Sequence, residues 1–132
     1  MLYKLYAVAL PIFFMLDIAW IGLVAKRFYQ ARIGHLLKAD AYWPAAILFY
    51  LIFVAGIVFF VIAPATEKQS LLHAVAAGAF FGLATYAAYD LTNLAMAKDW
   101  PLIVTVVDLA WGAALSSIVS ASTYAIAVKF GL

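Results

Sequence analysis

Apolar side chains fill four long runs of the chain, approximately residues 5–25, 44–62, 71–97 and 102–128, with polar residues gathered in the stretches between them. A hydrocarbon core of about 30 Å takes roughly 20 residues of α-helix, so each run is long enough to cross a bilayer. Trp43-Pro44 opens the second run and Trp100-Pro101 the fourth, each proline sitting where a helix start has no use for the missing N–H. Between the first two runs, at about residues 27–40, Phe28, Ile33, Leu36 and Leu37 alternate with Arg32, His35 and Lys38, which predicts a short helix lying among the headgroups. The predicted fold is all-α, a polytopic membrane protein in which residues 1–132 form a single transmembrane domain, a four-transmembrane-helix bundle.

Composition fixes the class independently of the pattern. With 70% hydrophobic and 11% charged residues and a mean hydropathy of +1.10, the chain lies outside the range of soluble globular domains. Lys4 before an apolar stretch gives the first run the look of a signal peptide, but Asp17 interrupts it and no small-x-small cleavage site follows, so a retained helix is expected. The absence of Cys excludes disulfides, thiolate metal sites and a Cys nucleophile. A net charge of +2 gives no reason to expect a nucleic-acid partner. Lys26, Arg27, Arg32, Lys38 and Lys98 lie on one side of the predicted spans and Lys4, Lys68 and Lys129 on the other, a bias that puts both termini outside.

Three aspartates, Asp17, Asp90 and Asp108, stand inside the apolar runs without a basic residue beside them. Asp17 is nine residues before Lys26, Asp90 eight before Lys98 and Asp108 nine after Asp99. At 1.5 Å per residue all three fall about 13 Å from the cytoplasmic helix ends, so one layer of the bundle can gather them. Each carboxylate costs about 2.5–3.5 kcal/mol at the centre of an inserted helix, so the side chains must face protein or water. Desolvation and mutual repulsion oppose ionisation of all three together, and the counter-charge must come from a proton, a metal ion or a cationic ligand.

The neighbours of the acids add candidates. Trp20 and Trp111 follow Asp17 and Asp108 by three residues, Asn93 follows Asp90 by three, and Tyr86, Tyr89 and Thr92 surround Asp90. Indole, amide and phenol donors suit carboxylates, and aromatic faces suit an organic cation. Trp20 also fits an interfacial belt, whereas Trp111 lies too deep for one. At most one of Tyr86 and Tyr89 is expected at the site. Ala74, Gly78 and Gly82 lead toward Tyr86 and Asp90 at four-residue spacing, and Gly112, Ser116 and Ser120 follow Asp108 in the same way, two stripes suited to close helix contact within one bundle or between two chains.

The run Tyr89-Asp90-Leu91-Thr92-Asn93-Leu94-Ala95, followed by Trp100-Pro101, Asp108 and Trp111-Gly112, and preceded by Asp17-x-x-Trp20-Ile21-Gly22, resembles a bacterial family of small predicted membrane proteins catalogued as a domain of unknown function. The resemblance covers nearly the whole chain. It implies a four-span protein of the bacterial inner membrane, in contact with lipid, and brings no activity with it.

Three function classes remain open at this point. One is a proton- or cation-coupled carrier of a small cationic or polar substrate, using Asp17, Asp90 and Asp108 with Trp20, Trp111 and Tyr86 lining the pocket. In size and span number such a carrier is similar to the small multidrug-resistance transporters, although their single-Glu pattern is absent, and a chain this short would call for a homodimer. The second is an enzyme, or an enzyme's partner, acting on lipid, with paired carboxylates as acid and base or holding a hard divalent cation, Asn93 completing the shell. Zinc is not expected, for want of Cys and with His35 and His73 outside the acidic layer. No other cofactor is expected. Ser116, Ser117, Ser120 and Ser122 lack a nearby His, which argues against a Ser hydrolase. The third is a scaffold or binding protein whose neutral aspartates fasten helices.

Overall fold

A computed structural model describes residues 1–132 as four helices, α1 (Leu2–Leu36), α2 (Trp43–Lys68), α3 (Leu71–Met96) and α4 (Leu102–Phe130), with no strand. All four are long and apolar enough to cross a membrane. The bundle buries little by the standard of a soluble domain, 28 of 132 residues, and leaves side chains such as Leu23, Met15 and Phe80 on its outer surface. That surface is what lipid would cover, so the polar side chains are the ones turned inward: Asp17, Asp90, Thr105, Asp108, Ser116, Ser120 and Thr123 are all buried.

The separate surface helix expected at about residues 27–40 does not form. Residues 26–33 continue α1 directly, Ile33 leaves helical geometry (φ −131°, ψ 22°), Gly34–Leu36 add one 3-10 turn, and extended backbone begins at Leu37. The physical reason is local: Lys26-Arg27-Phe28-Tyr29-Gln30-Ala31-Arg32 holds no Pro or Gly to stop a helix already under way. α1 therefore spans 35 residues, about 52 Å, well beyond the hydrocarbon thickness. α2 likewise runs on past residue 62 through Pro64 to Lys68.

The inward face of α1 repeats every four residues: Leu5, Ala9, Phe13 and Asp17 are buried, and Ala25 and Ile33 continue the series. An α-helix turns every 3.6 residues, so such a face drifts around the axis by about 40° per step. α1 offsets the drift with a widened π-type turn over Ile21–Ala25, which brings the later residues back to the inner side. α2 uses the same device. Phe53, Ile57, Val61 and Ala65 share its buried face, and π-type turns span Val58–Ile62 just before Pro64, whose missing N–H and ring would otherwise disturb a regular helix. Together Leu5, Ala9 and Phe13 of α1, Phe53, Val54, Ile57, Val58, Val61, Ile62 and Ala63 of α2 and Leu115, Val119 and Ala127 of α4 make the apolar core.

α3 and α4 form the closest pair, and the two small-residue stripes meet within one chain. A Cβ on Gly78 would lie 2.8 Å from the Ser120 hydroxyl and 3.0 Å from the Ser116 carbonyl. One on Gly82 would collide with the Gly112 carbonyl, and one on Gly112 with the Tyr86 ring. The α3–α4 turn is closed by Asp99 in the left-handed region (φ 61°), a conformation a short polar side chain tolerates. Trp100 Nε1 then donates to Thr105 Oγ1 at 3.1 Å, and Thr105 Oγ1 donates to the Asp90 carbonyl at 3.4 Å. This chain of bonds fixes the start of α4 against α3 at the level of Asp90.

Replacing Gly82 by Val should force α3 and α4 apart and destabilise the protein by about 1–3 kcal/mol. Gly22→Ala, where a Cβ meets nothing within 4 Å, should leave stability unchanged or slightly raised. Thermal unfolding in detergent micelles compares the two, and equal losses would contradict the close α3–α4 seam.

Candidate functional site

Each buried aspartate ends or interrupts a stripe that its helix already turns inward. Asp17 follows Leu5, Ala9 and Phe13 on α1, Asp90 follows Ala74, Gly78, Gly82 and Tyr86 on α3, and Asp108 precedes Gly112, Ser116 and Ser120 on α4. Packing against the small residues thus carries the acids into the bundle. Asp90 is 0% exposed, Asp17 7% and Asp108 9%.

Their surroundings differ. The Tyr50 hydroxyl of α2 donates to Asp17 Oδ2 at 2.6 Å, and Trp111 Nε1 of α4 makes a longer contact of 3.5 Å to Asp17 Oδ1. Tyr29, from the far part of α1, donates to Asp108 Oδ1. Asp90 has neither a phenol nor an indole on its carboxyl, and both of its side-chain oxygens are buried without a donor. It lies instead within side-chain hydrogen-bonding reach of Asp108. Two ionised carboxylates are acceptors only, so the contact becomes a hydrogen bond when one proton is present between them. Tyr86 is in electrostatic range of all three acids and of Tyr50.

A cavity of about 610 Å³ opens beside these groups. Asp17 and Asp108 contribute its carboxylates, while Trp20, Trp111, Tyr29, Tyr50, Tyr86, Tyr89, Phe49 and Trp100 supply aromatic walls. Trp20 and Trp111 stack with ring centres 4.4 Å apart and planes 7° from parallel. Tyr89 meets Trp100 edge to face at 5.7 Å. Ile21 and Ala25 of α1 and Ala46 and Phe49 of α2 also line the cavity, as do Lys26 and Gln30. The widened turn of α1 decides this lining. Asp17, Ile21, Ala25, Tyr29, Ile33 and Leu37 are spaced by four residues and all border the cavity. Tyr29 is about 18 Å along α1 from Asp17, yet their partners Asp108 and Trp111 are separated by one turn of α4, so the distal part of α1 must lean across the cavity.

Of the nine side chains singled out in the sequence, six border the cavity: Asp17, Trp20, Tyr86, Tyr89, Asp108 and Trp111. Asp90 stands behind Asp108. Thr92 is exposed and donates to the Ala88 carbonyl of its own helix at 2.6 Å, and Asn93 does not border the cavity. The expectation that Tyr86 and Tyr89 exclude one another is corrected, since positions three apart on a helix are only about 60° apart and both reach the cavity. No group of three His, Cys, Asp or Glu is placed to hold a metal ion. The sequence reading missed Tyr29 and Tyr50, the two phenols that hold carboxylates. Tyr50 carried a signal, because a hydroxyl deep in an apolar run needs an acceptor. Tyr29 was hidden by its assignment to a surface helix.

The pairing of Asp17 with Tyr50 is open to a double-mutant cycle. Tyr50→Phe and Asp17→Asn should couple by about 0.6–1.7 kcal/mol in stability, the range of hydrogen bonds between membrane helices. Tyr50→Phe combined with Asp108→Asn should be additive, and unfolding in mixed micelles reads both. Additivity of the first pair would contradict the bond.

No curated protein and no solved structure matches the chain. Residues 2–125 match the sequence model of a family described as predicted membrane protein, and the chain belongs to that family, DUF2177.

Proposed function

We propose that this membrane protein binds a small organic cation in the cavity between Asp17 and Asp108, as the recognition step of a proton- or cation-coupled transport or sensing function. The observation that carries the reading is the pairing of two buried carboxylates with a wall of π faces in one cavity of about 610 Å³. A cation there meets negative charge on two sides and the electron-rich rings that line the cavity, one outer face of the Trp20–Trp111 stack among them, which attract cations most strongly where water is displaced. Tyr50 and Tyr29 hold the carboxylates in place, so little reorganisation is needed on binding. With the orientation favoured by the loop charges, in a bacterial inner membrane with both termini outside, the cavity lies in the cytoplasmic half of the bundle and Lys26 stands toward its cytoplasmic end.

A second reading draws on the phenol–carboxylate bonds themselves, which tie α1 to α2 and α1 to α4. In that reading the acids are fasteners, and ligands leave the protein unaffected.

Phenyltrimethylammonium and tert-butylbenzene share a shape and differ in charge, which makes them suitable probes. Tryptophan fluorescence in nanodiscs should report saturable binding of the cation and none of the neutral isostere. Asp17→Asn and Asp108→Asn should each weaken the cation by about tenfold or more, about 1.4 kcal/mol. Equal response to both probes, or unchanged binding in both variants, would overturn the proposal in favour of the fastening role.

A further inference from the structure

The reading of a cation site leaves one acid without a task. Asp90 does not border the cavity, yet it is the most deeply buried of the three, and neither of its carboxyl oxygens has a donor. Thr105 lies beside it, but its hydroxyl is spent on the Asp90 backbone carbonyl and on Trp100. The titratable groups that face Asp90 are Asp108 of α4, Tyr29 of α1 and Tyr86 and Tyr89 of α3, while Tyr50 of α2 is turned to Asp17. Lys26, at the edge of the cavity, is exposed and makes no ion pair with either acid. No Lys, Arg or His therefore neutralises the pair.

A carboxylate sealed from water and lacking any donor is expensive, and two of them side by side more so. One proton removes both costs, because it neutralises one carboxyl and supplies the missing hydrogen bond. Asp108 completes the geometry. It lies within hydrogen-bonding reach of Asp90 on one side and borders the cavity on the other, so a charge arriving in the cavity is felt by the pair through a single shared residue.

We propose that Asp90 and Asp108 form a proton-storing carboxyl pair, and that a cation bound between Asp17 and Asp108 displaces the shared proton. The inference rests on the cation-site reading and assigns the acids different tasks. Asp17, held by Tyr50 and Trp111, is the fixed counter-charge. Asp108 exchanges one positive partner for another, the proton before binding and the cation after it. Asp90 holds the proton in place while the cavity is empty. On binding, the proton leaves the pair for solvent through the cavity; the cation beside Asp108 takes over the proton's charge, which removes the repulsion that opposed ionising Asp90, and the charge in the site stays nearly constant.

Calorimetric titration of phenyltrimethylammonium in buffers of different ionisation enthalpy counts the protons released. At a pH where the pair carries its proton, the wild type should release about one proton per cation, as linkage requires when bound proton and cation compete. Asp90→Asn should still bind the cation and release none. Infrared spectra of isotope-labelled aspartate in the wild type, which need no variant, should show a protonated carboxyl that disappears on cation binding. Cation binding without proton release in the wild type, or the same release from Asp90→Asn, would overturn the proton pair while leaving the cation site standing. A wild type that binds no cation removes the cation-site reading. The carboxyl pair then stands or falls on the infrared band alone, and its absence would overturn the pair as well.

Discussion

Carboxylates placed inside a membrane helix must be satisfied by the rest of the chain, and the architecture of this protein follows from how that is done. Lipid offers nothing at bilayer depth, and the chain places no basic side chain against the acids. Asp17 and Asp108 are met by phenols from other helices, Asp17 also by an indole, and Asp90 by another acid. Each solution joins two helices, so the polar groups that oppose insertion also specify which helices neighbour one another. The apolar exterior carries no such information, because a lipid-facing Leu is satisfied in any rotation of its helix.

Two geometric devices make those meetings available. The small-residue seam lets α3 and α4 approach until Gly82 and Gly112 leave no space for a side chain, and Asp90 and Asp108 lie within hydrogen-bonding reach across the same pair of helices. The four-residue repeat on α1 would wander off the bundle in a regular helix, and the widened turn at Ile21–Ala25 keeps its distal half over the cavity. Wide turns of this kind recur beside functional sites because they change which residues share a face. Here the turn separates the part of α1 that packs in the apolar core from the part that borders the acids.

Much of the fold was legible in the sequence, since four runs of apolar residues admit few arrangements in a bilayer and the Gly and Ser stripes mark the faces that touch. The common depth of the acids followed from residue counts, and Trp20 and Trp111 followed from helical spacing. Their stacking on one another did not, because it depends on the approach of α1 to α4. Tyr29 was beyond reach for a related reason. Its contact with Asp108 depends on α1 continuing through Lys26 and Arg27, where charge pattern alone suggested a break. Thr92, two positions from Asp90, lies on another face of the helix, and Asn93, three positions on, still falls outside the border of the cavity. The separation of the acids into a held one and a pair was likewise invisible, as it is a matter of a few ångströms across helices rather than of depth along them.

The division of the carboxylates between phenol and carboxyl partners is the claim on which the account turns, and solid-state NMR measures it directly. In lipid-embedded protein labelled at aspartate Cγ and tyrosine Cζ, short-range correlations should link Asp17 to Tyr50 and Asp108 to Tyr29, with Asp90 correlated to Asp108 and to no tyrosine hydroxyl-bearing carbon at hydrogen-bonded range. Three carboxyl signals that show no tyrosine correlation, or an Asp90 signal coupled to a phenol and not to Asp108, would contradict it.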